Sequence, residues 1–394
     1  MRILQINAVY KTMSTGRITM ELHKYFQAKG IDSYVAYGTK NTDNSHDPHV
    51  FQIGNWIDHK IHAVAYRVDK MQGCHSSLAT MLLIKKVKRI NPNVILTHNL
   101  HSNYLNVPLL FRELHKLGIK VFVDLHDCWF LTGGCYHYTA TGCEQWLEGC
   151  LDCPMLGNAA KRKHEINQRL FNDTNPVIIA TSKWIESEAK RSLLGRKCRI
   201  EMIYDWIDME TFYPRTNNSI REKYKISTER IILSVSTMWN LEKGLQEVIS
   251  LANSLPNCTI IMVGHQPPGI QYPPNVITIE FTDSKEELAE LYSVADVFFN
   301  PSKQETFGLV SGEALACGTP LVVYNTTACP EFVTEYTGIK MEKNEDIVTA
   351  VNAAIDLSIK YGREFIRNKC VEFAKCNFDM ERNIEKYLDL FNNS

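Results

Sequence analysis

The chain has 394 residues, a formal net charge of −1 and 44% apolar residues. That length suits two domains of ordinary size, and the balanced charge gives no electrostatic ground for a nucleic-acid partner. No apolar run reaches the ~18 residues a membrane-spanning helix needs, and the strand-like Met1-Arg2-Ile3-Leu4-Gln5-Ile6-Asn7 stands where a secretion signal would lie, so a cytoplasmic protein is expected.

The first half alternates strand and helix. Residues 2–7 read as a strand. Residues 16–28 read as a helix with Ile18, Leu22 and Phe26 on one face, stopped by Gly30. Strands follow at 33–37, 93–97, 120–125 and 177–180, with helices at 78–89 and 107–116. The second half restarts the pattern, with strands at 231–235, 259–263 and 295–300 and helices at 245–255 and 285–293. Alternation at this spacing predicts parallel, doubly wound α/β sheets.

The most informative stretch is residues 301–320. Glu305 falls in a loop, a helix is predicted over 309–317, and Gly318 stands where a helix end favours a left-handed residue. The N–H groups of Phe307, Gly308 and Leu309 would open outward from the helix start, which is an anion site by geometry. Glu313, inside the helix, adds an acceptor for sugar hydroxyls. A bland alternative is a carboxylate that only complements the helix dipole. The following strand, 320–324, ends in a loop at 325–331, where open parallel sheets bind ligands.

This stretch resembles the Glu-x7-Glu signature of glycosyltransferase family 4, read on Glu305 and Glu313. The family's usual Gly-Phe-Gly appears as Thr306-Phe307-Gly308. The resemblance implies a GT-B fold, two Rossmann-like domains facing a cleft, and a retaining, metal-independent transfer. Residues 1–204 would bind the acceptor and 205–375 the nucleotide-sugar donor. A helix over 376–394 would return to the first domain. Between the halves, Asp205-Trp206-Ile207-Asp208 replaces the family's Asn-Gly-Ile-Asp.

The resemblance assigns donor diphosphate to Lys243. The family's arginine a few residues earlier is missing from 234–242. Gly264 would lie near the base, Glu313 at the ribose, and Glu305 with His126 at the reacting sugar. Gly16, Asn99 and His101 would shape the acceptor or phosphate loop, Gly16 by letting backbone approach closely. His98-x-x-His101 also has metal-ligand spacing, though without a third ligand.

Twelve cysteines in a cytoplasmic chain point to thiols or metal ligands rather than a disulfide frame. Four of them, Cys135, Cys143, Cys150 and Cys153, fall as C-x7-C-x6-C-x2-C in a Gly-rich insert over 128–154. That pattern suits a structural zinc, with the Tyr136-His137 neighbourhood offering a substitute ligand; an iron–sulfur cluster or unlinked thiols are alternatives. The insert, with His126-Asp127-Cys128-Trp129, resembles a capsule and exopolysaccharide subgroup of the family. Lys85, Lys86, Lys88 and Arg89, with Lys161, Arg162, Lys163 and Arg169, form basic groups that would lean on anionic lipid or simply be solvated.

The expectation is a hexosyltransferase with a nucleoside-diphosphate-sugar donor and a saccharide acceptor, lipid-linked at the inner face of the cell membrane. It needs no catalytic cofactor and serves capsule, exopolysaccharide or lipopolysaccharide synthesis. A sugar-nucleotide epimerase of the same fold and an inactive binding subunit are the alternatives.

Overall fold

The computed structural model describes residues 1–39, 47–136, 138–216 and 219–394, with Ala140 described by its backbone alone. The chain divides into two compact units. The first comprises Met1–Ile203 and Ile384–Ser394, the second Tyr204–Asn383.

The first unit runs β1 (Arg2–Asn7), α1 (Met13–Ala28), β2 (Asp32–Tyr37), β3 (Val50–Gln52), α2 (Trp56–Asp69), α3 (Ser77–Ile90), β4 (Val94–Thr97), α4 (Val107–Lys116), β5 (Lys120–Leu125), α5 (Asn158–Thr174), β6 (Val177–Ala180), α6 (Lys183–Arg191) and β7 (Ile200–Met202). Its seven strands lie in the order β3-β2-β1-β4-β5-β6-β7, and their pairings are parallel. The central strands are buried on both faces, as continuous runs such as Val94-Ile95-Leu96 require. The chain leaves β1 in one direction and β4 in the other, so the sheet has its switch point between them.

The second unit runs α7 (Ser219–Lys223), β8 (Arg230–Met238), α8 (Leu245–Ser254), β9 (Cys258–His265), β10 (Val276–Ile279), α9 (Lys285–Val294), β11 (Val297–Asn300), α10 (Leu309–Ala316), β12 (Leu321–Tyr324), β13 (Gly338–Met341), α11 (Ile347–Tyr361) and α12 (Arg363–Phe378). Its six parallel strands lie in the order β10-β9-β8-β11-β12-β13, with the switch point between β8 and β11.

The last helix, α13 (Met380–Asn392), starts in the second unit, and from Ile384 it belongs to the first. There Phe391 sits with its ring centroid 4.7 Å from that of Phe122, edge to face. Tyr387 donates its hydroxyl to Asp124 Oδ2 at 2.9 Å. Burying each such aromatic ring contributes about 1.5–3 kcal/mol, which is why the helix carries Ile384, Tyr387 and Phe391 on its buried side.

Candidate active site

In the second unit, the loops leaving β8 and β11 meet across the switch point. Gly244 caps α8 with φ 77°, and a Cβ there would fall 2.5 Å from the Pro301 carbonyl oxygen. Lys303 N–H donates to the Glu242 carbonyl at 2.9 Å, and Lys303 Nζ lies 3.3 Å from a Glu247 carboxylate oxygen. This lacing brings Lys243 Nζ to 2.6 Å from Glu305 Oε1 and 3.4 Å from Ser302 Oγ. Lys243 therefore has a carboxylate partner in place of the absent arginine, and the ammonium and Glu305 hold each other in position. Both are part-exposed, so the pair remains available to a ligand.

The start of α10 is open. Gly308 caps it with φ 98°, and the N–H groups of Phe307, Gly308 and Leu309 have no acceptor among the described residues. The Phe307 side chain points the other way, into an aromatic cluster with Phe332 and Phe378, its ring centroid 5.2 Å from each. That packing fixes the loop from behind. Ser302 and Asn300 are braces: Asn300 Nδ2 donates to Ser311 Oγ at 3.1 Å, and Ser302 Oγ donates to the Gln304 carbonyl at 3.1 Å. Glu313 is buried and accepts the Tyr292 hydroxyl at 3.2 Å on Oε2.

Gly264 stands next to last in β9. Its φ is 120°, and a Cβ would overlap the Ser236 carbonyl oxygen. It permits close approach to β8 at a strand irregularity between Val235 and Met238. His265, beside it, is exposed and pairs with Glu280 at 2.7 Å.

In the first unit, the candidates gather where β1, β4 and β5 end. Helix α1 begins at Met13, ahead of the expected start at Gly16. Gly16 is buried under the preceding loop, and its carbonyl accepts Lys11 N–H at 2.9 Å. A Cβ there would press on Lys11 N and Val9 Cγ2, each at 3.2 Å. Asn7 ties this loop to the next strand end. Its Nδ2 donates to the Thr15 carbonyl and Thr19 Oγ1, and its Oδ1 accepts from Ala8 N–H and Asn99 N–H.

His126 ends β5 and stacks on His98, with ring centroids 5.3 Å apart. Gln5 Nε2 donates to the Thr19 carbonyl, which turns Gln5 Oε1 toward His98 Nε2 at 3.0 Å. His98 Nδ1 and His126 Nε2 are 3.1 Å apart, with the tautomer deciding which of them donates. Asp124 lies beneath, 3.4 Å from His126 Nε2 and 3.5 Å from His98 Nδ1. Burial would raise its carboxyl, but His126 and His98 outweigh that and hold it well below the usual carboxylate range.

His101 diverges from His98. Its Nε2 is 2.7 Å from Asp127 Oδ2, whereas His98 faces Gln5 and His126. The donor atoms of His98, Asp124 and His126 do lie within 4.8 Å of one another, with Asp124 Oδ2 also accepting the Tyr387 hydroxyl and His98 Nε2 facing Gln5. The basic groups also need correction. Lys163 is buried, with Nζ 4.2 Å over the Trp129 ring and 3.8 Å from Cys74 Sγ, so it is no surface charge.

Comparison with known proteins follows this geometry. Residues 216–371 match the family model described as Glycosyl transferases group 1. The second unit carries a glycosyl transferase group 1 domain. The chain is 23% identical, over all of both chains, to WcaC of Escherichia coli (strain K12), described as a colanic acid biosynthesis glycosyl transferase. It is also 23% identical to alpha-monoglucosyldiacylglycerol synthase of Acholeplasma laidlawii, over 88% of this chain and 86% of that one.

Among solved structures, sucrose-phosphate synthase from Thermosynechococcus elongatus superposes with a TM-score of 0.71 at 17% identity, covering all of both chains. HepE of Anabaena, in complex with UDP, does so at 0.72 and 14%, again over all of both. At such identities these structures speak for the fold: two Rossmann-like units of GT-B type.

Proposed function

We propose that the chain is a retaining glycosyltransferase that moves a sugar from a nucleoside-diphosphate donor to a saccharide acceptor in bacterial surface polysaccharide synthesis. The observation that carries this reading is the Lys243–Glu305 pair beside the open N-terminus of α10, at the switch point of a group 1 domain. Diphosphate oxygens would take the N–H groups of Phe307, Gly308 and Leu309 and the Lys243 ammonium. Charge growing on the leaving diphosphate is stabilised by these fixed donors, so the reading needs no metal. Glu313, oriented by Tyr292, accepts the ribose hydroxyls. Glu305 faces the donor sugar. His126, with Gly16, Asn99 and His101, serves the acceptor in the first unit. The UDP held by HepE and the colanic acid role in the description of WcaC support the donor class and the pathway.

Calorimetry with UDP, GDP and ADP tests the donor site. One of them should bind, and Glu313→Ala should weaken it by about 1.5–3 kcal/mol, the range for a hydrogen bond to a charged acceptor. An unchanged affinity would remove Glu313 from the ribose. If none of the three binds, the donor reading goes with it. The anomeric configuration of the product, read by NMR, tests retention.

The acceptor's lipid linkage has its own support in the first unit. No described helix is long and apolar enough to cross a membrane. Yet α2 exposes Trp56, Ile57, Ile61, Val64 and Val68, a stripe at helical spacing, and α3 exposes Leu78, Met81 and Leu82 ahead of Lys85, Lys88 and Arg89. Apolar stripes with basic neighbours suit the surface of an anionic bilayer at the inner face of the membrane. In co-sedimentation, Ile61→Glu with Val64→Glu should abolish binding to anionic vesicles while leaving thermal stability unchanged, because both side chains are exposed. Equal binding by the variant and the parent chain would exclude α2 as the contact.

A further inference from the structure

The segment between β5 and α5 spans 126–157 and holds two short 3₁₀ turns, Thr139–Thr141 and Gln145–Leu147, and no strand or α-helix among its described residues. A connection of more than about 12–15 residues without regular structure is uncommon in a compact domain and calls for something that holds it. This one is not a loose flap. Trp129, Phe130, Tyr138 and Trp146 are buried in the core of the first unit, and Gly133 lies so close to α5 that a Cβ would overlap the Ala160 carbonyl.

We propose that Cys135, Cys143, Cys150 and Cys153 bind one zinc ion that pins this segment. All four line one cavity of about 30 Å³, together with Trp146 and Leu156. That is room for an ion or a water molecule rather than for an organic ligand. Three of the four follow a glycine in positive φ: Gly134 at 104°, Gly142 at 60° and Gly149 at 111°. Cys150 is itself at 55°. Each such turn bends the chain just before a sulfur, Gly142 also ending the first 3₁₀ turn as its left-handed cap. Two sulfurs also accept main-chain bonds, Cys150 Sγ from Gly133 N–H at 3.3 Å and Cys153 Sγ from Leu156 N–H at 3.4 Å. Donors of this kind orient a sulfur toward a metal.

The donor set fits zinc, which takes four thiolates tetrahedrally at about 2.3 Å, each having given up its proton on binding. The sulfurs stand farther apart than a bound ion would hold them, since the described trio within 4.8 Å is His98, Asp124 and His126. Binding must therefore draw the four cysteines inward, three of them on glycine-flanked turns. All twelve cysteines are free thiols, so no disulfide competes for these four. His137 lies outside the described residues, and the proposal rests on the thiols alone.

The ion would act at a distance from any substrate. His126 and Asp127 open the pinned segment, and the Tyr136 ring packs edge-on against His101 at 4.7 Å. Zinc would thus hold the segment that positions these histidines.

The test uses the full chain without a polyhistidine tag, purified anaerobically in reductant. Elemental analysis should give about one zinc per chain, the stoichiometry of a closed four-thiolate site. A mercurial thiol reagent should release it. Cys143→Ser and Cys153→Ser should each lose the metal, while His98→Gln keeps it. Because the serine variants risk misfolding, the parent chain reconstituted with Co²⁺ gives a second readout, the visible bands of a tetrahedral thiolate complex. Zinc well short of one per chain, iron with labile sulfide, or metal lost with His98→Gln rather than with the cysteines would overturn the proposal. None of these results bears on donor binding, so the two readings fail separately.

Discussion

Lys243→Ala is expected to lower turnover about 10²–10³-fold, the loss seen when one preorganised donor to a developing anion is removed. The loss should exceed that of a simple phosphate contact, because Lys243 also neutralises Glu305 at 2.6 Å. Without the ammonium, a part-buried carboxylate faces the incoming diphosphate and repels it. Affinity for the nucleoside diphosphate should fall by more than tenfold, while affinity for the nucleoside barely changes. The second substitution carries the discriminating sign. Adding Glu305→Gln to Lys243→Ala should restore part of the diphosphate affinity, since it removes the repelling charge, but it should not restore turnover. Additive losses in the double variant would mean that the pair does not act as a unit. Equal losses for nucleoside and diphosphate would place Lys243 in folding rather than in phosphate binding.

The elements that carry this chemistry were legible because their signals are local. The buried run at 297–300, the open helix start at 309 and Gly318 with φ 84° sit close to where the pattern of apolar residues and glycines puts them. What the pattern could not supply is pairing across the fold. Lys243 looks isolated without the arginine. Its partner stands 62 residues away on another strand end, and only the strand order brings the two together. Gly264 shows a related limit of the local pattern. A glycine after a strand reads as room for a ligand, and the sequence does not show that it also lets the neighbouring strand approach.

Other misses had signals. Asn55 and Asp58 form a capping box at the start of α2, and Ile57, Ile61, Val64 and Val68 recur at helical spacing. The sequence announces that helix through its cap and its spacing. Asn7 gave no such sign. A polar residue at the end of a strand is unremarkable until four hydrogen bonds show it joining the Gly16 loop to Asn99.

Gly244→Ala should damage the proposed donor site without touching any group assigned to the donor. Two costs combine. The residue sits at φ 77°, where an L side chain costs about 1–2 kcal/mol. The new methyl would fall 2.5 Å from the Pro301 carbonyl oxygen and inside contact distance of the proline ring, and such overpacking typically adds about 1–3 kcal/mol. The cheapest relief is to part the two loops, which stretches the Lys303–Glu242 bond and withdraws Lys243 from Glu305. A lower melting temperature and a weaker donor affinity are therefore expected together. Gly269→Ala is the control. Its φ of 81° is nearly the same, but nothing lies within 4 Å of the added carbon. It should show the backbone cost alone, with donor affinity intact. If Gly269→Ala weakened donor binding as much as Gly244→Ala, the effect would be general destabilisation. If neither did, contact between the β8 and β11 loops would not be what sets the Lys243–Glu305 geometry.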